Sequence, residues 1–212
     1  MIRTLIIDDH DLVREGIKRI LKEYKDIEIV GEAESGEEAI QLTRELNPDV
    51  ILMDISLKGM DGLEATRRIA ERWPEVRILV LTVHPEETYA IRILRSGALG
   101  YLRKDCRPDD LIMAIRTVNQ GQRFLIPEVA QRLAFRLLEK KEDLGPLELL
   151  SDRELQVLSH LASGFEMKEI AAKLKISYKT VETYRSRLME KLKLRNVAEI
   201  TRFAIRHGLI ET

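Results

Sequence analysis

Acidic, hydroxyl and ammonium side chains stand at the ends of short apolar runs in the first half of the chain. Asp8 and Asp9 follow the first run, Asp54 the third and Thr82 the fourth, and Lys104 comes just after the fifth. An apolar run that ends in an acid is typical of a strand buried on both faces, with its carboxylate at the carboxyl edge of a parallel sheet. One sheet would therefore gather three carboxylates, a hydroxyl and an ammonium at a single edge.

Three carboxylates at such close quarters repel one another, and a cation would relieve that repulsion. Few, hydrated oxygen ligands favour Mg²⁺ over a dedicated Ca²⁺ cage, and the sequence has no cluster of histidines and cysteines spaced for zinc. Taken singly, Thr82 could form a turn, Lys104 could be a solvated cation, and Asp8 and Asp9 could cap a helix. Their joint placement at strand ends favours a magnesium site.

The elements that must position these side chains alternate regularly over residues 1–121. The predicted strands are Arg3–Ile7, Glu28–Glu32, Val50–Met53, Arg77–Leu81 and Leu99–Leu102. The predicted helices between and after them are Leu12–Tyr24, Gly36–Leu46, Leu63–Arg72, Glu86–Ser96 and Asp109–Gln120. Five βα repeats predict an α/β fold, a doubly wound, five-stranded parallel sheet in the flavodoxin-like order. Asp61 directly precedes Gly62-Leu63-Glu64 and is better read as a helix cap.

The rest of the chain shows helical patterns alone. Residues 122–147 predict a linker with one amphipathic helix, which could pack on either domain or pair with a second subunit. From residue 148 onward the pattern predicts an all-α domain of four short helices, the third running from about Ser177 to Leu192. Ser151 and Glu154 form a predicted capping box at the first of them. On the third helix, Val181, Leu188 and Leu192 share the face expected to enter the core.

Basic residues are concentrated near the C-terminal end of the chain. The whole sequence of 212 residues has a formal net charge of −1, yet residues 173–195 carry eight basic and two acidic residues. A basic segment on an otherwise acidic chain suggests a polyanion-binding end, although a solvated helix face could look alike. The single cysteine, Cys106, fits a reducing compartment, and the apolar runs are too short to cross a membrane, so we expect a cytoplasmic protein.

Residues 1–121 resemble the receiver domain of two-component response regulators. The signature consists of Asp8-Asp9, Asp54 with Gly59-Met60-Asp61-Gly62, Thr82, and Gly100-Tyr101-Leu102-Arg103-Lys104. The resemblance implies that Asp54 accepts a phosphoryl group from a sensor histidine kinase. It implies Mg²⁺ ligation by Asp9, Asp54 and the backbone carbonyl of Ser56, with Asp8 acting through a water. It further implies that Thr82 and Lys104 grip the phosphoryl group and that Tyr101 is the switch aromatic, although Tyr101 could equally be a ring packed on the sheet edge.

This chain departs from the receiver pattern at several positions. Val83 stands where a very small residue is usual, Lys58 replaces a frequent proline, and Asp105 replaces the proline that often follows the lysine. His84 occupies a position that tunes autodephosphorylation in the family. We therefore expect Val83 to affect access to the phosphoryl site and His84 to affect the lifetime of the phosphoryl group on Asp54.

Residues 148–212 resemble the LuxR-type helix-turn-helix DNA-binding domain. The resemblance rests on Leu150–Glu154, Lys168–Leu174, Ser177–Val181, Lys191-Leu192, Asn196 and Ala204–Ile210. It implies a DNA-contacting set on and near the third helix: Lys179, Thr180, Glu182, Thr183, Tyr184, Arg185, Ser186, Arg187 and Lys191. Tyr184 stands where the family commonly has histidine, and Glu182 where it often has lysine. Both halves together resemble the NarL/FixJ subfamily, which implies homodimers on inverted half-sites of double-stranded DNA.

Three other functions compete with a phosphorylation-controlled transcription factor. A LuxR-type regulator that is independent of phosphorylation fits the Val83 departure. A transcription factor that senses a small molecule would need a ligand cavity in place of the acidic crevice. An aspartyl-phosphate hydrolase would share the chemistry of Asp54, but its paired Asp-X-Asp motif is missing because residue 56 is serine. We therefore expect a protein that is not an enzyme beyond self-phosphotransfer and autodephosphorylation at Asp54.

Overall fold

The structure, a computed structural model, describes residues 1–57, 59–82, 87–125, 130–131, 146–207 and 209–210. By its internal contacts the chain divides into two units, Met1–Phe135 and Arg136–Thr212. The predictions made for Lys58, Val83 and His84 lie outside the described residues, as does the linker helix apart from residues 130–131.

The first unit is built on a five-stranded, all-parallel sheet in the order β2-β1-β3-β4-β5. The strands are β1 (Ile2–Ile7), β2 (Ile27–Ala33), β3 (Val50–Asp54), β4 (Arg77–Thr82) and β5 (Gly100–Arg103). This order confirms the predicted flavodoxin-like topology. It makes β1, β3 and β4 the inner strands, and these are the strands that carry the acids and Thr82.

Helices flank this sheet, and their bounds lie within one residue of those predicted, except that the first helix ends at Leu21 and not at Tyr24. They are α1 (Asp11–Leu21), α2 (Gly36–Leu46), α3 (Gly62–Arg72), α4 (Glu87–Arg95) and α5 (Pro108–Asn119). The Asp61 carboxylate accepts a hydrogen bond of 2.9 Å from the Glu64 N–H, which confirms its assignment as the cap of α3. Gly97 after α4 and Gly121 after α5 have φ values of 100° and 76°, a backbone region that favours glycine at a helix end.

Burial explains why the inner strands read as continuous apolar runs. Ile51, Leu52 and Met53 of β3 and Leu79 and Val80 of β4 have no exposed surface. Both faces of the sheet are therefore covered, as expected for a parallel sheet between helices. Polar side chains can meet solvent or ligands only at the strand ends, and this is where the functional candidates stand.

The second unit consists of helices throughout its described part. A 3₁₀ turn at Pro146–Leu149 precedes α6 (Asp152–Ala162), α7 (Met167–Lys173), α8 (Tyr178–Leu192) and α9 (Val197–Arg206). The capping box of Ser151 and Glu154 is present at α6 as predicted. Val181 and Leu188 of α8 are fully buried, whereas Leu192, predicted for the core, is only half-buried. Within the described residues, no helix has the length and apolarity needed to cross a membrane.

Candidate functional site

The predicted acidic pocket forms at the carboxyl edge of the sheet. Lys104 Nζ lies 2.6 Å from Asp8 Oδ2 and 2.9 Å from Asp54 Oδ2. The side chains of Asp8 and Asp54 are 1% and 2% exposed, and that of Lys104 is 10% exposed. Thr82 is 1% exposed at the end of the adjacent strand. The structure thus brings these residues together in one largely buried pocket.

Strand register accounts for this convergence. Asp54, the last residue of β3, pairs with Leu81 of β4, so Thr82 extends one residue beyond it. The Lys104 N–H donates a hydrogen bond of 2.8 Å to the Thr82 carbonyl, which continues the β4–β5 ladder past the last residue of β5. Because ladder hydrogen bonds fix these backbones, the side chains at their ends are held in place by the sheet.

The loop after Asp54 packs directly against the backbone of β3. A Cβ placed on Gly62 would lie 1.8 Å from the Asp54 carbonyl oxygen, so only glycine allows this approach. The Gly62 N–H donates a hydrogen bond of 2.9 Å to the Ile55 carbonyl. A backbone hydrogen bond from Ser56 to the Asp54 carboxylate helps to orient it. The first residue of α3 therefore lies directly against the backbone of Asp54 and Ile55.

The electrostatics of the pocket are those of two buried acids that share one ammonium. Burial raises the pKa of Asp54, Lys104 opposes that change and Asp8 adds to it, and the net direction is upward. Burial lowers the pKa of Lys104, but the charges of Asp54 and Asp8 outweigh it and leave that pKa raised. Lys104 therefore stays charged, and a further cation in the pocket would favour the ionised form of Asp54, whose pKa is raised.

Donor atoms at this edge fit a small divalent cation. Asp8, Asp9, His10 and Asp54 each offer one ligand atom, and all of these atoms lie within 4.8 Å of one another. Three carboxylates among four donors form a set that hard cations such as Mg²⁺ prefer. The roles predicted for the Ser56 carbonyl and for a water on Asp8 remain predictions.

The Tyr101 side chain is fully buried, although its strand lies at the edge of the sheet. It lies on β5, pairs with Val80 and is 1% exposed, which makes it one of the largest fully buried side chains of the chain. This burial agrees with one of the two interpretations of Tyr101 given by the sequence, a ring packed on the edge of the sheet. The switch role needs a second position of the ring and remains a prediction.

Most of the predicted DNA-contacting side chains lie on the solvent side of α8. Those that are exposed are Lys179, Glu182, Thr183, Ser186, Arg187 and Lys191, and those that are half-buried are Thr180, Tyr184 and Arg185. The hydroxyl groups of Thr183 and Ser186 donate hydrogen bonds of 2.9 Å and 3.0 Å to the carbonyls four residues earlier. They would have to turn, or act as acceptors, in order to read a base edge.

Lys191 already has an anionic partner within the unit. Its ammonium lies 2.6 Å from Oε2 of Glu154, whose side chain is 3% exposed, and the Ser151 N–H donates to the same oxygen at 2.7 Å. Burial raises the pKa of Glu154, but Lys191 and Ser151 together lower it below its ordinary value. The structure therefore gives Lys191 a role in joining α8 to α6, next to its predicted contact with a DNA phosphate.

Comparisons with known proteins place both units in described families. The family model "Response regulator receiver domain" matches residues 4–116, and the model "Bacterial regulatory proteins, luxR family" matches residues 148–204. Response regulator GacA of Pseudomonas aeruginosa is 40% identical over 211 residues, covering 100% of this chain and 99% of that protein. Response regulator UvrY of Escherichia coli K12 is 44% identical over 209 residues, covering 99% and 96%. The chain is a two-component response regulator of the NarL/FixJ subfamily.

A solved structure of this family has been described in complex with DNA. The chain matches "two RcsB dimers bound to two parallel DNAs" with a TM-score of 0.58 and 30% identity, over 95% of this chain and 96% of that one. The likeness extends over nearly the whole of both chains. The response regulator described here is therefore a regulator of transcription with a receiver unit and a LuxR-type DNA-binding unit.

Two residues beside the pocket of this response regulator were missed by the sequence analysis. His10 Nδ1 lies 2.7 Å from Asp9 Oδ1 and 3.3 Å from Asp8 Oδ1. Arg14, with 9% exposure, donates a hydrogen bond of 2.6 Å to the Asp8 carbonyl and one of 2.8 Å to Glu34. The adjacency of His10 to two acids was a usable signal, whereas the partners of Arg14 come together only through packing of α1 against the sheet.

Proposed function

We propose that this response regulator is switched by transfer of a phosphoryl group from a sensor histidine kinase to Asp54. The observation that carries the proposal is the buried Lys104 ammonium, 2.6 Å from Asp8 and 2.9 Å from Asp54 at the end of the sheet. A phosphoryl group arriving at this carboxylate would find a preplaced positive charge, and phosphoryl transfer asks chiefly for positioning and charge neutralisation.

The transfer itself is a displacement at phosphorus. An oxygen of the Asp54 carboxylate forms the new P–O bond while the P–N bond of the kinase phosphohistidine breaks, and the electron pair of that bond stays on the imidazole nitrogen. The Ser56 N–H and the Lys104 ammonium orient the nucleophile and neutralise charge. Asp9 and Asp54, the Ser56 carbonyl and Asp8 through a water are the proposed holders of Mg²⁺, which when bound supplies further neutralisation of phosphoryl oxygens.

The product changes the charge of the pocket and so can bias a switch. An acyl phosphate adds about −1.5 to −2 charge at neutral pH. Lys104 and the hydroxyl of Thr82 are the groups proposed to grip it, and Tyr101 would then move as Thr82 moves inward. The mechanism is a population shift towards a homodimer competent to bind inverted half-sites.

The DNA-binding half of the proposal rests on α8. Lys179 and Arg187 are exposed cations on this helix, and Glu182, Thr183 and Ser186 are the exposed side chains proposed to face bases. Arg185 and Lys191 remain proposed phosphate contacts, with Lys191 also bound to Glu154. The RcsB dimers on DNA support this use of the unit, because the two chains are alike over almost their full lengths.

The experiment measures whether phosphorylation controls DNA affinity. Duplexes enriched from a random-sequence library are titrated with the full chain, in the presence of Mg²⁺, with and without acetyl phosphate, and Asp54→Ala is the matched control. We expect the phosphodonor to tighten binding of the wild type between about 5-fold and 150-fold, the usual range of coupling between two sites, and to leave Asp54→Ala unchanged. Equal wild-type affinity in both conditions would identify a regulator that is independent of phosphorylation.

A further inference from the structure

We infer that His10 supplies a nitrogen ligand to the divalent cation at the acidic pocket, and that it shifts the preference of the site from Mg²⁺ towards Mn²⁺. The inference rests on the proposed cation site and goes beyond it in naming a fourth protein ligand and a metal selectivity. It concerns the cluster of Asp8, Asp9, His10 and Asp54, in which His10 is the only nitrogen donor.

Distances within the cluster fit ligands of one ion. Two neighbouring ligands of an octahedral cation, each about 2.1 Å from it, lie about 3 Å apart. His10 Nδ1 is 2.7 Å from Asp9 Oδ1 and 3.3 Å from Asp8 Oδ1, which brackets that separation. The His10 N–H also donates a hydrogen bond of 2.9 Å to Asp8 Oδ1, which holds the histidine backbone beside the pocket.

The two oxygens of Asp8 face different partners. Oδ2 lies 2.6 Å from the Lys104 ammonium, whereas Oδ1 faces His10. Asp54 meets the same ammonium through its Oδ2 at 2.9 Å. The ammonium and the imidazole therefore contact opposite oxygens of Asp8, so a cation beside Oδ1 would lie on the His10 side and not in the place of Lys104.

The exposure of His10 suits a ligand that completes a hydrated site. Its side chain is 58% exposed, whereas the Asp8 and Asp9 side chains are 1% exposed. Mg²⁺ in proteins usually keeps several waters, and an imidazole at the solvent side of the pocket can take the place of one of them.

An imidazole ligand changes which cation binds best. Carboxylate, carbonyl and water oxygens suit Mg²⁺ and Mn²⁺ alike, whereas imidazole favours first-row transition metals. Adding an imidazole to the carboxylates of Asp9 and Asp54 and the Ser56 carbonyl should therefore strengthen the binding of Mn²⁺ relative to that of Mg²⁺. The alternative is that His10 only hydrogen-bonds to Asp9 and orients it, which would affect the two metals equally.

The test uses full-length protein without an affinity tag and Mn²⁺ as the probe. Electron paramagnetic resonance of free Mn²⁺ gives the affinity, competition with Mg²⁺ gives the selectivity, and electron spin-echo modulation detects a ¹⁴N nucleus bound to the metal. His10→Asn is the test variant, since asparagine is favoured at a helix N-cap and keeps the start of α1. His207→Asn removes an imidazole in the second unit and serves as the matched control.

We expect a ¹⁴N modulation in the wild type and in His207→Asn and its loss in His10→Asn. The variant should bind Mn²⁺ about tenfold more weakly, with a smaller change for Mg²⁺. The inference is overturned if the wild type binds no Mn²⁺ or gives no modulation, if the modulation survives in His10→Asn, or if both metals weaken equally. Phosphorylation of the wild type with Mg²⁺, followed by intact mass in the same preparation, tests the proposed function separately.

Discussion

Replacement of Lys191 by methionine separates two roles of one side chain. Methionine keeps most of the aliphatic length but leaves the Glu154 carboxylate, 3% exposed, without the ammonium at 2.6 Å. Breaking a fully buried pair costs about 3–5 kcal/mol, but Lys191 is 40% exposed and the Ser151 N–H still donates to the carboxylate. With solvent screening taken into account, we expect a loss of about 1–2 kcal/mol in the free energy of unfolding at pH 7.

Urea unfolding can measure this loss of stability separately for the second unit, which contains Lys191 and Glu154. The only tryptophan, Trp73, lies in the first unit, so its fluorescence follows that unit, whereas far-ultraviolet circular dichroism also reports the helices of the second. For a denaturant dependence of about 1 kcal/mol per molar urea, the transition of the second unit should fall by about 1–2 M. Lys179→Met, at an exposed position on the same helix, should shift it by less than about 0.5 M.

The pH dependence gives a second check on the pair. Because Lys191 and Ser151 hold the pKa of Glu154 below its ordinary value, the ionised carboxylate stabilises the fold above that value. This contribution is lost as the pH falls below about 4, so the difference between wild type and Lys191→Met should shrink there. An equal loss of stability in Lys191→Met and Lys179→Met, or a difference that does not change with pH, would refute the ion pair.

Two further variants test the pocket of the receiver unit. Gly62→Ala would put a Cβ 1.8 Å from the Asp54 carbonyl oxygen. We expect it to lower the free energy of unfolding, followed by Trp73 fluorescence, by more than about 2 kcal/mol and to abolish phosphorylation. Its control is Gly16→Ala, where a Cβ meets nothing within 4 Å, and this change should stabilise α1 by about 0.5–1 kcal/mol. Lys104→Met leaves buried carboxylates without their shared ammonium, so Mg²⁺ should raise its melting temperature more than that of the wild type. Equal effects of the two glycine variants, or a smaller Mg²⁺ response in Lys104→Met, would contradict the described geometry.

The sequence predicts the inner strands β3 and β4 well because they are buried on both faces and so read as continuous apolar runs. Val50–Asp54 reads as a strand from its apolar run alone, and its position at the carboxyl edge follows from parallel topology. The capping side chains of Asp61 and Ser151 act within three residues of themselves, and both start helices as predicted.

What the sequence does not reveal are contacts between distant segments. Lys191 reads as one more cation on a basic helix, since its partner Glu154 is 37 residues away on α6. Arg14 reads as a surface residue of α1, yet its guanidinium is buried against the Asp8 carbonyl and Glu34. Such pairings depend on how elements pack, and helical periodicity within one element carries no information about them.

Intact mass spectrometry after incubation with acetyl phosphate and Mg²⁺ tests the central claim most directly. We predict that the wild-type chain gains a single phosphoryl group, labile to hydroxylamine as an acyl phosphate is, and that Asp54→Ala gains none. A wild-type chain that stays unmodified, or an Asp54→Ala chain that is modified to the same extent, would contradict the assignment of Asp54 as the phosphoacceptor.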